Sequence, residues 1–406
     1  VSDSVFLSND ADSGGGAIAG SYLYSTGDLT VHNSQFISNA AGFLGGAIYH
    51  DYNGLFIYDS RFEDNEGTSG GGVYINGSYS GSPTGYLAVE RSSFVNNRAT
   101  AWGSNGGGVN LNGVNYHVYE RVFTGNQVGE YSNGGGLNSS PFAATGTIRN
   151  TTFSGNSASN FGGGLYHNTG TVYVINSTFA AGAASAGGNI GNAGGTFNIV
   201  NSLVADPTSG GNCSAPVTSQ GHNLESTDTC GFNHAGDLVN TVPLLGLLQD
   251  NGGNTLTHLL LANSPALESG DEAACPDADQ RGVTRPQNNH CDIGAVEMEP
   301  NLTPVADAGL DQSVITGESV TLDGAACADP DGHLPLSYTW TQTGGPSVAL
   351  SGADTASPVF TPSVNGIYTF ELVVTDALGL LSTPDEVVIT VTEVAGNTIY
   401  LPILVR

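Results

Sequence analysis

Along the first half of the chain, apolar and polar residues alternate in short runs, as in Leu29-Thr30-Val31-His32 and Thr171-Val172-Tyr173-Val174-Ile175. A period of two is the strand signal, and no stretch carries the 3.6-residue spacing of a helix. Two motifs punctuate the runs. Phe followed three residues later by Asn recurs as Phe6/Asn9, Phe36/Asn39, Phe62/Asn65, Phe94/Asn97, Phe123/Asn126 and Phe153/Asn156, with a worn copy at Phe179. Glycine pairs and triplets recur between them, at 14–16, 45–46, 70–72, 106–108, 134–136, 162–164 and 187–188. Successive phenylalanines stand 30, 26, 32, 29, 30 and 26 residues apart. Repeats of that length are stacked supersecondary units. Several short strands per repeat predict one coil of a parallel β-helix, with coils about 4.8 Å apart. Equivalent residues then form columns. The Phe column is expected as an inward aromatic ladder, and the Asn column as a turn, since Asn tolerates left-handed backbone. Two residues before each Phe runs a mostly hydroxyl column of Ser4, Ser34, Ser60, Ser92, Arg121, Thr151 and Ser177. The glycines suit a tight corner.

From about residue 206 the period fades, and residues 206–298 are expected to cap the stack, because a last coil exposes unpaired backbone. The solenoid with its cap thus spans 1–298. Beyond the Pro-containing linker Met298–Pro304, inward alternation resumes at Val320/Leu322, Tyr338/Trp340, Tyr368/Phe370/Leu372/Val374 and Val387/Ile389/Val391. This predicts a β-sandwich over 299–395, with Trp340 in the core and Tyr368 placed like a tyrosine corner. An apolar tail strand, 396–406, follows. The fold class is all-β.

The paired glycine and Phe-x-x-Asn motifs resemble the GGAI and FxxN repeats of bacterial surface proteins, including the polymorphic outer-membrane proteins. That resemblance implies a right-handed parallel β-helix, the pectin-lyase-like solenoid, over residues 1 to about 205. The segments 244–253, Asn263–Leu267, Asp279–Pro286 and Cys291–Glu297 resemble the C-terminal part of the choice-of-anchor Q family of secreted bacterial β-helix proteins. Pro304–Gly309, Asp329-Pro330-Asp331-Gly332, Tyr338-Thr339-Trp340 and Val374-Thr375-Asp376 resemble the PKD-type immunoglobulin-like module. Together these imply a bacterial protein, secreted or held at the cell surface.

Composition narrows the partners. Thirty-seven acidic residues face eight basic ones, all Arg, for a net charge of −29. Nucleic acid and anionic lipid are excluded as partners, and cations are favoured. No 18-residue apolar run exists, so no membrane insertion is expected. Cys213, Cys230, Cys275 and Cys291 allow three pairings. The sequence-local one, Cys213–Cys230 with Cys275–Cys291, is favoured because short loops close at less entropic cost. Such bridges point to an oxidising, extracellular compartment. Cys327 is left as a buried free thiol. Asp329 and Asp331 offer two loop carboxylates and Asp376 a third at a strand end, hard ligands suited to Ca²⁺. The resemblance to calcium-binding PKD-like modules adds Asn301.

A polysaccharide lyase of this fold would need a basic residue beside a calcium-binding carboxylate cluster, and a hydrolase would need paired carboxylates. Arg61, Arg91, Arg121 and Arg149 fall one, three, two and four residues before their Phe and share no column. Glu90-Arg91 and Glu120-Arg121 read as surface ion pairs. Arg281 and Arg285 with Asp279 and Asp292 read as a structural ion-pair cluster. The reading is therefore non-enzymatic, with a polysaccharide-cleaving enzyme as the last alternative. The favoured function is a surface-fibre subunit assembling head to tail with copies of itself. Its open first coil would accept the tail strand Ile399, Tyr400, Leu401, Ile403, Leu404 and Val405 of the next subunit. The alternative is a monomeric adhesin that binds surface glycans through exposed Tyr22, Tyr24, Tyr49, Tyr52 and Tyr79.

Overall fold

The computed structural model describes residues 1–20, 27–79, 82–83, 85–140 and 144–393. It divides into two compact units, Val1–Glu299 and Pro300–Arg406. The first unit is a parallel β-solenoid. One coil consists of the strands Leu29–His32, Gln35–Ile37, Ala40–Ala41 and Ile48–Asp51. Each pairs in parallel with its counterpart in the next coil, at Gly54–Tyr58, Arg61–Glu63, Glu66–Gly67 and Val73–Asn76.

The ladders hold this register. Phe6, Phe36, Phe62, Phe94, Phe123, Phe153 and Phe179 stack face to face, centroids 4.6–4.9 Å apart and rings within 10° of parallel. From Phe36 upward they are fully enclosed. The Asn column does not form the turn expected of it. It is a second buried ladder, in which each Oδ1 accepts both the backbone N–H and the Nδ2–H of the Asn below, as Asn97 does from Asn65 at 3.1 and 2.8 Å. The same Asn97 Nδ2 also donates to the Phe62 carbonyl at 3.0 Å. A position that must satisfy backbone groups of two coils favours a small amide over an apolar residue.

Left-handed backbone falls instead at three other places per coil. One is three residues before the Phe, at Asp3, Asn33, Asp59, Arg91, Glu120, Asn150, Asn176 and Asn201, with φ of 41–59°. Another is two residues after it, at Ser8, Ser38, Asp64, Asn96, Gly125, Gly155 and Ala181. The third is the glycine corner, where φ at Gly45 is +68° and a Cβ would lie 2.2 Å from the Ile48 carbonyl oxygen. At Gly46 the obstacle is the next coil, where the Gly71 oxygen would lie 2.0 Å from a Cβ. Only glycine lets the coils close up there.

The hydroxyl column also carries bonds between coils. Ser34 N donates to Ser60 Oγ and Ser60 N to Ser92 Oγ, both at 3.0 Å, while each Oγ–H donates to the carbonyl two residues back. Arg121 interrupts this column. It is no surface ion pair: its side chain is fully enclosed, and Nε, Nη1 and Nη2 have no hydrogen-bond partner among the described residues.

Residues 206–298 do not simply cap the stack. Thr218–Ser219 and Leu224–Glu225 add further parallel rungs, and Glu225 lies in register above Val204, which sits above Phe179. The chain then turns back along the outside of the Phe-bearing strands as a strap. Asn150 Nδ2 donates to Ala278 O (2.7 Å), Thr152 Oγ1 to Gln280 Oε1 (2.7 Å) and Asn176 Nδ2 to Asp292 O (3.1 Å). Ser154 Oγ meets His258 Nε2 at 2.9 Å, on the antiparallel hairpin Leu245–Gln249/Thr257–Leu260. Disulfides join Cys213 to Cys230 and Cys275 to Cys291.

The second unit is a β-sandwich. One sheet orders Gln312–Ile315, Asp385–Thr392, Gly366–Thr375 and Ser337–Gly344, and a short pair joins Val320–Thr321 to Val359–Phe360. Trp340, Phe360, Tyr368, Phe370 and Ile389 fill its core. Tyr368 Oη–H donates to Val364 O at 2.7 Å, the tyrosine-corner bond.

Candidate functional site

The left-handed column three residues before each Phe forms one outer corner of the solenoid. In the later coils its side chains, Asn150, Asn176 and Asn201, hold the strap. In the earlier coils the same column is open, and there Asn33, Asp59 and Arg91 line a cavity of about 420 Å³ together with Ser34, Gln35, Ser60, Arg61, Ser93 and Asn254. The strap supplies the far wall, with Asn254 Nδ2 donating to Asp59 Oδ1 at 3.2 Å. A smaller hollow of about 120 Å³ continues from it, sharing Arg61, Ser93 and Asn254 and adding Asp250, Thr255 and Leu256.

Asp59 is the hub. Arg91 grips its carboxylate with two bonds, Nε to Oδ1 at 2.8 Å and Nη2 to Oδ2 at 3.1 Å, and His32 Nε2 approaches to 3.4 Å. The Arg91 guanidinium holds the Asp59 carboxyl below its ordinary range. Arg61 pairs with Glu63 through Nε (2.9 Å) and Nη2 (2.7 Å). Arg61 and Arg91 share no column, as their spacing required, yet the fold brings both to one cleft because adjacent columns meet at this corner.

An aromatic face flanks the cleft on the Leu29–His32 side of the corner. Phe56 and Tyr86 lie 6.2 Å apart, Tyr86 and His117 5.2 Å, His117 and Tyr119 4.8 Å, and Arg149 sits 4.3 Å above the Tyr119 ring. Tyr86 Oη is hydrogen-bonded to His117 Nδ1, and His117 Nε2 reaches Glu90 at 3.5 Å. Glu90 in turn contacts Arg91 at 3.4 Å. The cleft and this face form one surface of planar polar groups beside ring faces. Sequence reasoning missed this aromatic set, although its members occupy outward strand positions in successive coils.

The tyrosines singled out from sequence lie elsewhere. Tyr49 is half-buried and its Oη–H donates to Asp51 at 2.7 Å, which with burial pushes its pKa up. Tyr52 is half-buried as well. Tyr22, Tyr24 and the Tyr79 side chain lie outside the described residues, as do Ile399, Tyr400, Leu401, Ile403, Leu404 and Val405.

In the second unit the expected ligands come together. Asn301 Nδ2 donates to Asp376 Oδ2 at 2.9 Å, and Asn301 Oδ1 meets His333 Nδ1 at 2.8 Å. His333 Nδ1 lies 3.2 Å from Asp331 Oδ1, and ligand atoms of Asp329, Asp331 and His333 lie within 4.8 Å of one another. Asp329 Oδ2 and Asp331 Oδ1 are enclosed atoms that face other members of this cluster. Hydrogen bonding with Asp331 holds the Asp329 carboxyl above its ordinary range. His333 is the member that sequence reading missed, two residues beyond Asp331 on the same loop. Cys327 is free but half-exposed rather than buried, and its Sγ accepts from Asp307 N at 3.3 Å.

The strap's ionic cluster forms with a change of partner. Arg281 pairs with Asp279 at 2.9 Å, but Arg285 pairs with Glu297 at 3.0 Å. Asp292 instead accepts the backbone N–H groups of Glu268 and Met298. Burial pushes the Asp292 carboxyl up to about 7.

Comparison with known proteins agrees with this two-part architecture. A PKD-domain family model matches residues 308–391, and the repeat of the Chlamydia polymorphic membrane protein matches residues 150–168. The dyslexia-associated protein KIAA0319 homolog of Mus musculus is 40% identical over 90 residues, 22% of this chain and 8% of that protein. The probable autotransporter YfaL of Escherichia coli K12 is 34% identical over 116 residues, 25% of this chain and 9% of that protein. The chain thus covers under a tenth of the length of these relatives. The solved PKD domain of the KIAA 1837 protein is 30% identical, is covered in full by 25% of this chain and superposes with a TM-score of 0.22. Among the described residues, no helix is long and apolar enough to cross a membrane.

Proposed function

We propose that the protein is a non-enzymatic, extracellular or surface-displayed binding protein of a bacterium, an adhesin whose solenoid takes a neutral glycan in the cleft over Asp59 and Arg91. The polymorphic membrane protein repeat and the likeness to a probable autotransporter support the location. The observation that carries the reading is the cleft itself: about 420 Å³, lined by Arg, Asn, Gln, Ser and Asp side chains and flanked by rings. Sugar hydroxyls need paired donors and acceptors, and their C–H faces stack on aromatic rings. A net charge of −29 disfavours an acidic polymer. Arg91 holds the Asp59 carboxyl below its ordinary range, which suits it to accept hydrogen bonds. The filament reading would rest on the tail strand.

Calcium in the second unit is part of the same proposal. Asn301, Asp329, Asp331 and Asp376 would hold it, with His333 beside them, and their carboxylate and amide oxygens fit a hard cation.

The test is titration calorimetry of the whole protein against a panel of neutral oligosaccharides. Binding that weakens about tenfold in Arg91→Ala and Asn254→Ala supports the cleft. Binding unaffected by both substitutions, or turnover of the oligosaccharide, rejects the reading.

A further inference from the structure

A different corner of the solenoid carries three exposed rings on three coils. Trp102 is 74% exposed, Tyr131 67% and Phe43 59%. Backbone bonds fix their order: Thr68 N donates to Phe43 O at 2.6 Å and Ala101 N to Thr68 O at 3.2 Å, so Phe43 and Trp102 stand two rungs apart, about 10 Å. Tyr131 lies on the rung beyond, since Gly103 N donates to Glu130 O at 2.9 Å, and its ring centroid is 5.3 Å from that of Trp102. Apolar rings left in water at this exposure contribute nothing to the core.

Backbone strain marks the same place. Tyr131 has a φ of +55°, a left-handed conformation that a bulky side chain adopts at a cost. Trp102 precedes Gly103, whose φ is +69° and around which there is open space. The chain therefore accepts strain at Tyr131 to hold its ring outward beside Trp102 on the adjacent rung. Trp102 and Tyr131 touch as a pair, while Phe43 stands apart from them with the half-exposed, polar Thr68 on the intervening rung. A protein partner calls for a contiguous apolar patch. An extended ligand with alternating apolar faces and hydroxyl edges calls for spaced rings with hydrogen-bonding groups between them.

We propose that Phe43, Trp102 and Tyr131 form a second glycan-binding site, a stacking row along which a neutral oligosaccharide chain lies parallel to the solenoid axis. The proposal deepens the glycan-binding reading but rests on different residues from the cleft. Glu130 beside the row, within a chain of net charge −29, selects against acidic sugars.

The test uses the full chain and two probes, neutral hexasaccharides of β-linked glucose and of β-linked N-acetylglucosamine, read by calorimetry and tryptophan emission. Trp340 is buried, so the exposed emission belongs to Trp102. The expected result is a shift of that emission to shorter wavelength with saturation. Trp102→Ala and Tyr131→Ala should each weaken binding about tenfold, with melting unchanged. If only Arg91→Ala weakens binding, the row is not a site while the cleft reading stands. If only the ring variants weaken it, the row stands and the cleft reading falls. No binding of either probe overturns the row. Emission that shifts with protein concentration alone makes the row a self-association surface and also overturns it.

Discussion

Replacing Arg121 with serine should stabilise the solenoid. Arg121 occupies a column in which its neighbours present an Oγ to the coil below, and Ser92 N there lacks the oxygen that Ser60 N finds in Ser92. The guanidinium is fully enclosed and all three of its nitrogens are without partners among the described residues. Burial pulls its pKa well down. An unpaired buried charge costs several kcal/mol even after relaxation. A serine would remove that cost and restore two bonds worth about 1 kcal/mol each. Against this stands the lost burial of two methylenes, about 1.6 kcal/mol, and a cavity term that the polar surroundings let water reduce. The balance favours Arg121→Ser by about 2 kcal/mol, a rise in Tm of about 4 °C. Urea denaturation followed by far-UV dichroism measures the first and calorimetric melting the second. A loss of stability above about 1 kcal/mol would refute the reasoning, because it would mean that the guanidinium has a partner in solution.

Other expectations follow from the same geometry. Asn97→Ala removes four ladder bonds within a closed interior and should cost about 3 kcal/mol or more in urea denaturation. Asp292, whose folded pKa of about 7 lies above its unfolded value, contributes stability that is fully present below about pH 4 and is lost as pH rises through 7. The stability difference between wild type and Asp292→Asn should therefore shift against wild type by up to about 4 kcal/mol between about pH 4 and 8, as read from denaturation at each pH. Calcium at about 100 times its dissociation constant should stabilise the second unit by about 2.7 kcal/mol. Chelator should remove that gain, and Asp331→Asn should show no response to either; a melting profile indifferent to chelator in the wild type counts against the site.

Much of the solenoid was legible because a ladder demands one residue type at one place in every coil, and Phe and Asn repeat with the coil. The role of the Asn column was not legible. Asn suits left-handed turns and buried amide ladders equally, and only the position of the left-handed residue, one step earlier, separates them. The strap was hidden for a different reason. Its contacts join residues far apart in the chain, such as Asn150 to Ala278, and no period connects them. The cleft shared that fate, since Asn254 comes to it through the strap. In the sandwich the carboxylates were visible as a loop pair and a strand end, while His333 carried no signal beyond its closeness to Asp331.

Hydrogen exchange of the backbone amides, with and without a saturating neutral oligosaccharide, tests the central claim most directly. Recognition in the cleft predicts slowed exchange at residues 33–35, 59–61 and 91–93 and in the strap around Asn254. Protection absent from all four segments while the oligosaccharide is bound would contradict it.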